Sequence, residues 1–313
     1  MTRRLTVAIP IHNEEEVIPA LLQRVGAMLD ALPGGPHQLL LVDDGSRDKS
    51  FAMLEEASRN DARLTIVKLS RNFGHQAALT AAFEHARGDA MVLMDGDLQD
   101  PPEAVPALLA KLDEGYDVVY VRRTRRKEPL WLRACYYLAY RIIGKLSKIA
   151  LPSDSGDFAI ISRRAFEAVR DLPERQRYLR GLRSWVGFRQ VGMEVERAAR
   201  AAGESKYSMR RLIGLALDGA FAFSTAPLRF IGVLGGGTLA FSLLFSVYAV
   251  YARVFLGHSP AGFTALTVLG TLIGGAILLS LWIIGEYVGR IYEEVKRRPV
   301  YLVDRVIGGD PKG

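Results

Sequence analysis

Short apolar runs rich in β-branched residues alternate with segments of helical periodicity over the first 121 residues. Leu5–Ile11, Gln38–Asp43, Thr65–Leu69, Ala90–Asp95 and Asp117–Val121 read as strands, and Glu14–Leu32, Asp48–Arg59, His75–Arg87 and Pro102–Leu112 as the helices between them. Such a βαβ series predicts an α/β fold, a mostly parallel, Rossmann-like sheet with helices on both faces and ligands at the carboxyl ends of the strands. The rhythm is lost between Arg122 and Ser224. Two stretches there, Trp131–Ala150 and Met209–Phe223, are amphipathic; both suit the membrane interface, and packing against the sheet is the alternative.

Two later runs, Phe230–Ala252 and Gly262–Gly285, carry no charged residue. About 20 apolar residues cross a hydrocarbon layer of roughly 30 Å, so each run is long enough to span. The short connection Arg253–Ala261 makes them a hairpin with both outer ends on one side. Arg210, Arg211 and Arg229 precede the pair and Arg290, Lys296, Arg297 and Arg298 follow it, against Arg253 alone in the connection. The positive-inside rule puts the outer ends in the cytoplasm. Glycines at four-residue spacing (Gly232 and Gly236, Gly270 and Gly274, Gly285 and Gly289) are expected to serve packing within the hairpin, with a homo-oligomer left open.

The expected organisation is therefore a catalytic-type domain over 1–208, an interfacial helix over 209–226, a transmembrane hairpin over 227–290 and a cytoplasmic tail over 291–313. Met1–Arg4 runs straight into the first strand, so no cleavable signal region is expected and the protein reads as multi-pass in the cytoplasmic (inner) membrane, both termini cytoplasmic. Cys135 is the lone cysteine, which excludes an intramolecular disulfide and a cysteine-cluster zinc site. With 41 Lys and Arg against 34 Asp and Glu, the net charge is +7. No recognition-helix or aromatic-interleaved module accompanies that charge, so nucleic acid is not an expected partner. A phosphate-bearing ligand and a lipid surface are.

Candidate chemistry concentrates at strand ends. Asp95-Gly96-Asp97-Leu98-Gln99-Asp100-Pro101-Pro102 closes the fourth strand. In an extended segment Asp95 and Asp97 share a face, and Gly96 admits a ligand close to the backbone. Two carboxylates so placed can hold Mg²⁺ or Mn²⁺ against a diphosphate, although an isolated Asp-x-Asp is equally a polar cap. The first strand ends in Pro10-Ile11-His12-Asn13-Glu14-Glu15 and the second in Val42-Asp43-Asp44-Gly45-Ser46. Carboxylates there can accept from a base edge or ribose.

These segments, with Ser70–Gln76, Gly156-Asp157-Phe158, Arg200 and Gly203-Glu204-Ser205-Lys206-Tyr207, resemble family 2 glycosyltransferases, and within them the polyprenyl-phosphate transferases such as dolichyl-phosphate mannose synthase and bacterial undecaprenyl-phosphate sugar transferases. The resemblance covers nearly the whole chain. It implies a GT-A fold, a nucleotide-sugar donor (UDP or GDP), a divalent metal and inverting transfer onto a polyprenyl phosphate. On matching positions, Pro10, Glu14, Val42 and Asp44 would line the base and ribose pocket, Asp95, Gly96, Asp97 and Gln99 would organise diphosphate and metal, and Asp157 would orient the acceptor, support the metal or act as base. His12 stands where the family commonly has an aromatic, which changes stacking on the base.

A phosphate monoester has a second pKa of about 6 and is already a nucleophile at neutral pH, so charge balance matters more than a base. Arg197, Arg200, Ser205 and Lys206 precede the first span and are the expected acceptor-phosphate site. Arg122 begins the basic run Arg122–Lys127, which offers a donor-phosphate contact, a lipid-docking loop or simply a solvated one. His75 lies in a turn near the expected donor, where helix capping is an equal use. A processive polysaccharide synthase is disfavoured because Gln176 is followed by Arg177-Tyr178-Leu179-Arg180, not by Gln-x-x-Arg-Trp, and because two helices cannot build a polymer channel. A non-catalytic nucleotide-sugar-binding scaffold is disfavoured by the intact acids and cations.

Overall fold

The computed structural model describes residues 3–123, 155–175, 177–195, 226–256 and 262–308. Trp131–Ala150, Met209–Phe223 and the expected phosphate ligands Arg197, Arg200, Ser205 and Lys206 lie outside these residues.

The βαβ series forms as β1 (Leu5–Ile11), α1 (Ile18–Ala31), β2 (Gln38–Asp43), α2 (Ser50–Asn60), β3 (Leu64–Leu69), α3 (His75–His85), β4 (Ala90–Leu93), α4 (Val105–Asp113) and β5 (Val118–Arg123). Where the rhythm was lost, the chain adds β6 (Ser155–Ser162), α5 (Arg163–Arg170), α6 (Leu179–Trp185) and β7 (Gln190–Val195). The strands all join one eight-stranded sheet of order β7-β5-β6-β4-β1-β2-β3-β8, whose last strand is β8 (Val303–Ile307). β1 pairs in parallel with β2 and β4, β2 with β3, and β5 with β7; β6 runs antiparallel between β4 and β5, and β8 antiparallel to β3.

β2 is buried along its whole length, as a central strand covered on both faces must be, which explains its unbroken Leu-Leu-Leu-Val run. Alternate residues of β1 (Leu5, Val7, Ile9, Ile11) join α1 and α4 in the main core. α3 packs on the opposite side, over β1 and β2. Its buried surface is mostly Ala77, Ala78, Ala81 and Ala82, small enough for the helix to approach the sheet closely, with Phe83 filling the remaining space.

The apolar runs form α7 (Ala226–Phe255) and α8 (Gly262–Lys296), which pack on each other in a second compact unit. Large apolar side chains such as Val233, Leu244, Phe255, Leu266 and Leu278 are exposed along both. A Cβ added at Gly232, Gly236, Gly270, Gly274, Gly285 or Gly289 would meet nothing within 4 Å. Among the described residues, therefore, nothing packs closely on these glycines, in contrast to the packing their spacing led one to expect. Nor is the whole segment after the hairpin a free tail: residues 298–308 return to the first unit, where β8 lines the sheet edge.

Candidate active site

The carboxyl ends of β1, β2 and β4 and the amino end of β6 lie on one rim of the sheet. The β4–β6 register pairs Leu93 with Ala159, so two residues further on Asp95 comes opposite Asp157. His75 opens α3 on the same rim, after the loop that leaves β3. Its Nε2 lies 3.8 Å from Asp95 Oδ1 and 3.6 Å from Asp157 Oδ2. One ligand atom from each of the three falls within 4.8 Å of the others. α6 adds Arg180, whose Nε donates to Asp157 Oδ1 and Nη2 to Asp157 Oδ2, both at 2.6 Å.

These contacts divide the two acids. Burial opposes charge on Asp157, but the Arg180 fork and His75 overcome it and hold the carboxyl well below the ordinary carboxylate range. Among the described residues Asp95 has no such partner; burial, then the neighbouring Asp157 charge, push it up to about 6. Burial also works against the His75 imidazolium, yet Asp157 and Asp95 outweigh it and raise its pKa. Asp97 and Asp100 add to the negative charge at Asp95. Two carboxylates and an imidazole so grouped could hold a divalent cation.

This set differs from the expected Asp95, Asp97 and Gln99. β4 ends at Leu93 and the chain turns at Gly96–Asp97, with Leu98 at φ 55°, so strand alternation does not govern Asp97. Asp97 Oδ1 accepts from the Gln99 backbone N–H at 3.1 Å; both residues are half-buried beside the cluster. Gly96 sits tightly there: a Cβ would stand 3.2 Å from Pro10 O and 3.0 Å from Ile11 Cδ1, so the neighbours would have to give.

The residues expected to line a nucleotide pocket lie at the ends of β1 and β2, where the described contacts are structural. Asp44 accepts the Phe73 and Gly74 backbone N–H groups, at 2.7 and 2.9 Å, and so ties the loop before His75 to β2. Gly45, at φ +63°, carries that contact: a Cβ would collide with the backbone of Arg71 and stand 2.6 Å from Asn72 N. Val42 is fully buried between Pro10 and Val67, so it serves the sheet core. Glu14 sits half-buried in the turn before α1, its N–H donating to Ser50 Oγ. His12 is exposed; its Nδ1 donates to Asp44 O (3.0 Å) and its Nε2 accepts from Asn72 Nδ2 (2.9 Å), which fixes one tautomer of the ring. Arg122 is exposed on β5, in register with Ser155 and Glu194.

Residues 6–170 match the family described as Glycosyl transferase family 2. The chain belongs to glycosyl transferase family 2. This transferase is 40% identical over 98% of its length to a Bacillus subtilis protein named uncharacterized glycosyltransferase YkcC, of which 95% is covered. It is 37% identical to the undecaprenyl-phosphate 4-deoxy-4-formamido-L-arabinose transferase of Serratia proteamaculans, covering 99% of this chain and 95% of that one. It is 33% identical to the SfII prophage-derived bactoprenol glucosyl transferase of Shigella flexneri, covering 98% and 100%. The structure brings Asp95 and Asp157 together with His75, whereas Arg180 escaped the sequence reading. An arginine on a short basic helix looks solvated until the fold brings Asp157 beneath it.

Proposed function

We propose that the protein transfers a hexose-like sugar from a UDP or GDP donor to a polyprenyl phosphate at the cytoplasmic membrane face, with inversion, giving a lipid-linked monophosphate sugar. The two-point hold of Arg180 on Asp157 carries this reading. A carboxylate held so firmly ionised is a poor proton acceptor, and a sugar hydroxyl acceptor would need a good one. A phosphate oxyanion needs none. The relatives named for undecaprenyl phosphate and bactoprenol support the same acceptor, and the two apolar helices supply a route to a lipid.

In this reading Asp157 orients the acceptor and stays ionised, while His75 bridges the acids and keeps the α3 amino end against the site. Pro10, His12, Glu14 and Asp44 hold or shape the nucleotide side, Arg122 meets a donor phosphate, and Arg197, Arg200, Ser205 and Lys206 meet the acceptor phosphate. Asp95, with Asp97 and Gln99 beside it, would hold Mg²⁺ or Mn²⁺. When bound, that cation offsets the charge of the departing diphosphate.

A panel of nucleotide sugars with undecaprenyl phosphate and Mg²⁺ or Mn²⁺, assayed on full-length protein in membranes, tests the proposal. One donor should yield a single-sugar lipid product, lost in Asp97→Asn and lost with chelator while membrane insertion persists. Full wild-type turnover in chelator contradicts metal dependence; a polymeric product contradicts the acceptor.

A further inference from the structure

Arg183 sits one helical turn beyond Arg180 and has no role in the chemistry derived so far. It is 3% exposed, and its Nε and Nη2 are buried with no hydrogen-bond partner among the described residues. Its guanidinium carbon lies 5.4 Å from the centroid of the Tyr120 ring, a cation–π contact that only partly offsets desolvation. Tyr120 and Arg122 alternate onto the same face of β5, on the strand that ends at the ligand rim. Asp157, an acid close enough to act on Arg183, is already held by Arg180. Asp157 is thus gripped by one guanidinium and lies within electrostatic reach of a second, whose Nε and Nη2 have no partner among the described residues.

Among the described residues, folding gives no reason for those open donors. An apolar residue of similar volume in place of a buried, unpaired cation is commonly neutral or stabilising. Fixed positive charge in a site shielded from water does have a use: it stabilises an anion without reorganisation and without screening by salt.

We infer that Arg183 supplies a fixed charge that holds a phosphate group beside Asp157. The inference rests on the glycosyl-transfer reading for the source of that group, which is either the diphosphate of the donor or the monoester of the lipid acceptor. Burial lowers the Arg183 pKa to about 10, still high enough for the charge to persist at neutral pH.

Full-length protein in detergent micelles tests this with three probes: UDP and GDP in the presence of Mn²⁺, and farnesyl phosphate without nucleotide, each titrated calorimetrically. Arg183→Met should unfold at or above the wild-type temperature yet bind at least one probe about tenfold or more weakly, the scale of one nearby charge. Arg183→Lys should bind within about threefold of wild type, because it keeps the charge. Loss on the nucleotide arm identifies the donor diphosphate, and loss on the prenyl arm the acceptor monoester. Unchanged affinity for all probes in Arg183→Met overturns the inference. So does a destabilised Arg183→Met, which makes the residue structural, or an Arg183→Lys as weak as Arg183→Met, or a wild type that binds none of the probes. Wild-type binding of the probes without any sugar transfer counts against the glycosyl-transfer reading and leaves this inference standing.

Discussion

Asp95 and Asp157 face each other with opposite proton affinities, and each has a distinct signature. Folded Asp95, raised from 3.8 to about 6, binds its proton more tightly than the unfolded chain does, so it weakens the fold as pH rises through that window. Asp157, depressed, stabilises the fold above its unfolded value and loses that contribution on acidification. In the proposed assignment, cation binding must displace the Asp95 proton below about pH 6. Mn²⁺ affinity should therefore fall as pH drops through about 6, measured by titration of the free ion. Asp157→Asn leaves Arg180 without its carboxylate; with Arg180 26% and Asp157 10% exposed, unfolding should come easier by about 1–3 kcal/mol in a denaturant titration. The Asp95–Asp97 segment was legible because its residues are contiguous. The Asp95–Asp157 meeting was not, because it depends on an antiparallel register between strands distant in sequence, and Arg180 and Arg183 become meaningful only once that register is known.

The strands missed by pattern fall into two kinds. β6 and β7 are readable in themselves but depend on distant partners. β8 gives almost no signal, since four of its five residues are exposed and two, Asp304 and Arg305, are charged, as suits an edge strand. Its attachment is nonetheless specific: Tyr301, just before it, donates to Glu84 Oε2 at 2.6 Å, at the far end of the helix that begins with His75. Tyr301→Phe should destabilise the catalytic unit by about 1 kcal/mol in thermal unfolding. Deletion of 298–313 should lower its melting temperature by more, although both apolar helices remain. A truncation from residue 227 onward thus removes sheet as well as hairpin, and loss of activity in such a protein reports on both. The central strands were legible for the opposite reason, being apolar on both faces and bounded by turns.

Across the whole molecule, α7 and α8 run for 30 and 35 residues, about 45 and 52 Å at helical rise, longer than the hydrocarbon layer. Phe230–Ala252 and Leu272–Lys296 qualify as spans by length and hydropathy, but charges from Glu286 onward confine the apolar part of α8 to the stretch before it. The Glu286–Arg290 and Glu293–Lys296 pairs then suit an aqueous helical end. The cation asymmetry gives a direct test. With Cys135 replaced, a cysteine at Ser259 should react with an impermeant maleimide in intact cells, and one at Lys312 only after permeabilisation; the reverse pattern inverts the topology. The return of β8 to the sheet after α8 also orders biogenesis. A ribosome must complete both hydrophobic helices before it delivers the last strand, so the nascent enzyme carries an open β3 edge until insertion is finished. Chaperone capture or proteolysis of stalled chains should concentrate in that interval.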